Sequence, residues 1–147
     1  MKSDTDNYMK YWRVIRQYAK VKYSLSQADL DMLFFLYSEK YFDRGKFDEY
    51  HAILGWDAMR FNRLLKEEWI LIFRKRLKNH RVKYQLSHKA ISMIRSMYRK
   101  LNGEEIPVSN SHNRMFLKNV GYADKVYRNM ILEMNKFIRQ QRCQPHE

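Results

Sequence analysis

Apolar residues recur along the chain at helical spacing, apart from one stretch near the middle where the period changes. Tyr8, Trp12, Ile15, Tyr18 and Ala19 predict a first helix over about Tyr8 to Lys22, after a polar opening through residue 7. Ser24-Leu25-Ser26 breaks it. Ser26 is a good N-cap for a second helix, with Asp29 three positions on, near the positive end of the helix dipole. That helix runs to about Glu39 with Leu30, Leu33, Phe34 and Tyr37 as its buried stripe. Residues 40–46 (KYFDRGK) read as a loop pivoting on Gly45, before a short third helix over about Phe47 to Leu54 that stops at Gly55. Asp57 caps a fourth helix reaching about Glu68.

The period then shortens. ILIF at 70–73 and VKYQL at 82–86 are β-prone, and the second alternates Val82, Tyr84 and Leu86 inward with Lys83 and Gln85 outward. Asn79 is available for the turn, so the pair predicts a hairpin. Ser87 caps a fifth helix to about Leu101 with Ala90, Ile91, Ile94, Tyr98 and Leu101 on its stripe, and Asn102-Gly103 ends it. A Ser- and Asn-bearing connector over 104–113 leads to a short helical piece near Arg114 to Val120. A last helix follows, about Ala123 to Gln141 within residues 122–142, with Val126, Tyr127, Met130, Met134, Phe137 and Ile138 on one face. The fold class is mainly α with a small β-hairpin: one winged-helix domain over 1–147, in which a helix-turn-helix core is flanked by N- and C-terminal helices.

Charge sharpens this picture. The chain carries 29 Lys and Arg against 16 Asp and Glu, a net of +13, which points to a polyanionic partner. Residues 56–100 hold thirteen basic and three acidic side chains, whereas residues 26–55 hold three basic and six acidic. On a helical wheel of residues 57–68, Phe61, Leu64 and Leu65 share one side; Met59, Asn62, Arg63 and Lys66 share the other, with Arg60 flanking. Arginine pairs with guanine, Asn62 suits adenine, and Met59 suits a thymine methyl. An ordinary amphipathic helix with a solvated basic face gives the same wheel. The hairpin adds weight, because Arg74, Lys75, Arg76, Lys78, Arg81 and Lys83 fall within ten residues that contain no acid. Such clustering is self-repelling unless phosphates neutralise it, although lysines also guard sheet edges against aggregation.

The stretch from Leu25 to Leu101 resembles the winged-helix core of MarR-type transcription regulators. LSQADLDMLFFL matches the helix leading into the motif, LGWDAMRFNRLL the turn and recognition helix, and NHRVKYQLSHKA the return strand of the wing. The resemblance implies a homodimer built by the terminal helices, a wing whose Arg81 enters the minor groove, and a small aromatic effector, for which Trp12, Tyr18, Tyr37, Tyr41 and Phe42 would line a pocket. The chain departs from the pattern in several places, the connector over 104–121 among them. Asn79 replaces the acid that usually braces the wing arginine, Trp69 stands where a glycine commonly precedes the first wing strand, and the recognition helix is about a turn short.

Little else in the sequence suggests chemistry. His51, His80, His88, His112 and His146 lack metal-ligand spacing with one another or with Cys143, so no metal or cofactor is expected. The glycines form no phosphate loop, and the adjacent pairs Glu67-Glu68 and Glu104-Glu105 do not converge on a substrate, so catalysis is not expected. A single cysteine, a polar opening and no long apolar run point to a cytoplasmic protein away from membranes. Three functions remain open. The chain is a sequence-specific double-stranded DNA-binding transcription regulator; a structural or accessory protein, replication- or virion-associated, that coats nucleic acid without reading it; or a winged helix used for protein contacts.

Overall fold

The computed structural model describes residues 7–143. The polar opening through Asp6, and His146, lie outside that range. Six α-helices occur among the described residues: α1 (Tyr8–Tyr23), α2 (Gln27–Tyr37), α3 (Arg44–Leu54), α4 (Ala58–Lys66), α5 (His88–Leu101) and α6 (Tyr122–Arg142). Strands β1 (Ile70–Arg74) and β2 (Lys83–Leu86) form a two-stranded antiparallel sheet, and a 3-10 turn covers Arg114–Phe116. The protein is thus mainly helical with one hairpin. Ser26–Ile94 form one compact unit; the described residues through Leu25 and from Arg95 onward form the other.

In the unit of residues 26–94, local capping sets the helix starts. The Ser26 hydroxyl accepts from the Asp29 N–H (3.1 Å) while the Asp29 carboxylate accepts from the Ser26 N–H (3.0 Å), a reciprocal cap for α2. α3 begins three residues earlier than the sequence pattern suggested, because the Asp43 side chain accepts from the Lys46 N–H and caps the first turn. Gly45 is therefore inside that turn and is no loop pivot. Gly55 ends α3 at φ 64°, its N–H bonded to the His51 carbonyl at 2.8 Å, and Asp57 caps α4 through the Met59 N–H. α4 stops at Lys66, short of the expected Glu68. Glu68 itself takes the left-handed conformation (φ 63°), so the position beside β1 that favours glycine is Glu68 and not Trp69.

β1 and β2 pair Ile70 with Leu86, Leu71 with Gln85, Ile72 with Tyr84 and Arg74 with Lys83, leaving Phe73 as a bulge. Beyond them Leu77 and His80 exchange backbone hydrogen bonds around a turn at Lys78-Asn79. On the far side of β2, Phe42 bridges to Tyr84 (3.0 and 2.7 Å), so β2 is flanked on both sides and β1 on one. The core of this unit includes Leu30, Leu33, Leu36, Phe47, Trp56, Phe61, Leu64, Ile70 and Tyr84. Phe61 packs between Phe47 (4.9 Å between rings) and Tyr84 (5.1 Å, edge-on). On α2 the buried stripe is Leu30, Met32, Leu33 and Leu36, while Phe34 and Tyr37 are half-buried, a rotation from the expected face.

In the other unit α1 packs on α6 and on the 3-10 turn. Val14, Ile15, Tyr18 and Ala19 of α1 are buried with Ile131, Met134 and Ile138 of α6, Ile106 and Met115; Tyr8 is exposed and Trp12 half-buried. α1 ends at Ser24, which is left-handed (φ 54°). The 104–113 connector is tightly held. Buried Asn135 accepts from the Ile106 N–H (3.0 Å) and donates to the Ile106 carbonyl (2.9 Å), and Asn113 donates to the Pro107 carbonyl. α6 buries Ile131, Met134, Asn135 and Ile138; Val126 is exposed, and Tyr127, Met130 and Phe137 are half-buried.

α5 supplies its first half to one unit and its second half to the other. The Ser87 hydroxyl caps it through the Ala90 N–H. Its buried positions are Ala90, Met93, Ile94, Met97 and Lys100, whereas Tyr98 is exposed and Ile91 and Leu101 are half-buried. Methionines 93 and 97 displace the expected stripe because a flexible thioether side chain fills the interior on a face that periodicity alone left ambiguous.

Candidate nucleic-acid interface

α4 buries Phe61 and Leu64 and turns Met59, Asn62 and Lys66 to solvent, with Met59 76% exposed. Arg60 and Arg63 are turned elsewhere. Arg60 donates from Nη1 to the Asp29 carboxylate (2.7 Å) and to the Ser26 hydroxyl (2.8 Å), and Arg63 donates from Nη2 to the same carboxylate oxygen. Asp29 is 2% exposed. Burial pushes its carboxyl pKa up, but hydrogen bonds from Arg63, the Ser26 N–H and Arg60 outweigh that and hold it below the ordinary aspartate value. Both arginines therefore clamp α4 to the start of α2. The local cap at Ser26 and Asp29 was visible in the sequence. The partners 31 and 34 residues away were not.

The hairpin is the most open part of the unit. Arg74, Lys75, Arg76 and Lys78 are exposed, and no carboxylate among the described residues lies within ion-pairing distance of them. The return strand behaves differently. Lys83 approaches Asp43 (Nζ to Oδ2 3.9 Å), and Arg81, though exposed, brings Nη1 to 3.1 Å from where a Cβ on Gly45 would stand. The start of α3 thus receives the base of the hairpin on one side. On its other side Arg44 donates to the Asn62 side-chain oxygen (3.4 Å), with its guanidinium 4.5 Å from the centre of the Phe61 ring. Arg44 joins the return strand to the outward face of α4, and the sequence reading missed it by assigning residues 40–46 to a loop. Asp43, a capping residue type ahead of an apolar Phe47, was the available signal.

Three of the five aromatic residues named for an effector are engaged in packing, and Trp12 and Tyr37 are half-buried. Tyr41 stacks on Phe73 (4.1 Å between ring centres), and Phe42 and Tyr18 are buried. A cavity of about 290 Å³ in the other unit is lined by Tyr8, Tyr11, Lys100, Leu101, Asn102, Gly103, Ile138 and Gln141, none of them among those five. Burial lowers the Lys100 pKa, partly offset by Glu104 at 3.8 Å. Among the described residues no cluster of three His, Cys, Asp or Glu side chains is placed to hold a metal ion, and no helix is long and apolar enough to cross a membrane. No protein family, curated protein or solved structure matches the chain.

Proposed function

We propose that residues 26–94 are a winged-helix module that grips double-stranded DNA, with α4 as the groove-facing helix and the hairpin as a backbone clamp, in a cytoplasmic, homodimeric regulator of the MarR-like kind. The observation that carries this reading is the run of exposed, unpaired cations at Arg74, Lys75, Arg76 and Lys78 on a hairpin whose base meets the start of α3 beside Asn62. Four like charges on a short projection repel one another, and phosphate contact relieves that repulsion while releasing counterions. Met59, Asn62 and Lys66 supply the outward face of α4, with Asn62 suited to an adenine edge. The clamp of Arg60 and Arg63 on Asp29 fixes how α4 is presented. In the homodimer, α1 and α6 form the interface; Met9 and Tyr122, both 84% exposed, leave apolar surface there for a partner to cover.

One observation favours a second reading, a nucleic-acid coat without base recognition. The two arginines best suited to guanine are already bonded within the protein, so base contacts fall to Asn62 and Met59. Salt dependence tests the shared claim. The triple variant Lys75→Gln, Arg76→Gln, Lys78→Gln should bind all duplex sequences more weakly, and the slope of log K against log salt should become shallower by about 2–3, since each phosphate contact contributes about 0.9. A folded triple variant with unchanged slope and affinity overturns the proposal.

A further inference from the structure

We propose that the outward face of the small sheet is a stacking platform for unpaired bases, so that the protein also binds single-stranded nucleic acid. Along β2, Tyr84 and Leu86 are buried, so Lys83 and Gln85 lie on the opposite side; Arg74 and Leu71, which pair with them, share that side. Phe42 is buried and hydrogen-bonded to Tyr84, which leaves its neighbour Tyr41 on the outward side as well. The bulge at Phe73 adds a residue to β1 at this point and brings its ring onto Tyr41, with ring centres 4.1 Å apart and planes inclined by 24°.

Exposure sets this pair apart. Phe42 stacks on Tyr84 and Phe47 on Trp56, and all four of those residues are buried. Tyr41 and Phe73 are 41% and 49% exposed. A stack that only tethered the hairpin would gain by leaving water, whereas an open one keeps aromatic surface for a ligand. Cations surround it. Arg74 stands directly across from Lys83, an unfavourable pairing of like charges. Asp43 approaches Lys83 at 3.9 Å, but among the described residues no carboxylate answers Arg74. Exposed Lys75 follows Arg74, and the Lys40 ammonium is 5.7 Å from the centre of the Tyr41 ring. Open rings for bases beside free cations for phosphates are what a single-strand site requires. A duplex has no use for the rings, because its bases are stacked on one another and offer only their edges in the grooves. The occupant is therefore an unpaired strand, with a base on Tyr41 and Phe73 and its phosphates toward Arg74, Lys75 and Lys40.

The inference rests on the duplex reading only for the hairpin cations; the rings are its own. Fluorescence anisotropy of labelled oligothymidylate and of a labelled duplex compares the full chain with the double variant Tyr41→Leu, Phe73→Leu, which keeps apolar bulk and removes both ring faces. The variant should bind the oligothymidylate about tenfold or more weakly, as loss of a stacked base entails, and should hold the duplex within about twofold of the wild type. Unchanged duplex binding in the triple Lys75, Arg76 and Lys78 variant, with the ring effect intact, would sink the duplex grip and leave the platform standing. Circular dichroism checks the fold of the double variant. Photocrosslinking of the wild-type chain to oligothymidylate carrying one iodouracil gives a readout that needs no substitution, and the crosslinked peptide should contain Tyr41 or Phe73. Wild-type protein that does not bind oligothymidylate, a folded double variant that loses strand and duplex equally or loses neither, or crosslinks that avoid both rings, overturns the proposal.

Discussion

Asp29 shows how one buried carboxylate can decide the role of residues far along the chain. It completes the α2 cap and receives two guanidinium groups from α4, so removing its charge leaves Arg60 without a carboxylate partner and Arg63 with the exposed Glu67 alone. Asp29→Asn should destabilise the protein by about 2–3 kcal/mol, below the full value for a buried pair because Arg63 is 40% exposed and Arg60 27%. The sign of the pH effect follows from the depressed folded pKa. An unfolded aspartate titrates near about 3.9, so the contribution is complete above roughly pH 5 and is lost as the pH falls toward the lower folded value. Denaturant titrations should therefore show the wild type and Asp29→Asn drawing together as the pH falls below the ordinary aspartate value of about 3.9. A difference that stays constant over that range would remove Asp29 ionisation as its source.

Among the elements, starts and stops were far more legible than faces. Ser26, Asp57 and Ser87 each cap the helix that the sequence assigned to them, and Gly55 takes the left-handed conformation expected after α3. These are contacts within four residues, which a local pattern contains in full. A Cβ at Gly55 would meet nothing within 4 Å, so Gly55→Ala tests backbone strain without steric conflict. It should cost about 1 kcal/mol in chemical denaturation, and no loss would show that the α3–α4 turn relaxes. The buried stripes of α2 and α5 lay one position away from expectation, at Met32 and Leu36 and at Met93 and Met97. Both helices carry more apolar residues than one face can hold, and the elements packed against them decide which are covered. Arg44 was hidden for a related reason, since the Asp43 cap moved α3 earlier and brought Arg44 to Asn62.

At the scale of the whole molecule, the distribution of charge differs from its apparent concentration in residues 56–100. Residues 26–94 carry thirteen Lys and Arg against nine Asp and Glu, net +4; the remaining residues carry sixteen against seven, net +9. The acids of α2 and α3 offset much of the hairpin charge within its own unit. The exposed, unpaired cations, more than net charge, make the hairpin the candidate contact. A homodimeric reader predicts a two-fold site with half-sites about 34–36 Å apart. Selection from a random duplex pool should enrich such a site, and Asn62→Ala should flatten the preference at one adenine position by roughly 1–3 kcal/mol. A flat pool would replace the reader with the coat.

By itself the sequence determined the succession of elements, the hairpin and the excess of positive charge, because helix caps, turns and periodicity are written within a few neighbouring residues. Which cations stay available was decided by tertiary structure alone: Asp29 took Arg60 and Arg63, Asp43 drew Lys83, and Arg74 through Lys78 were left to solvent. The physical reason is that ion pairs form between side chains brought together by folding, and their separation along the chain carries no trace of that meeting.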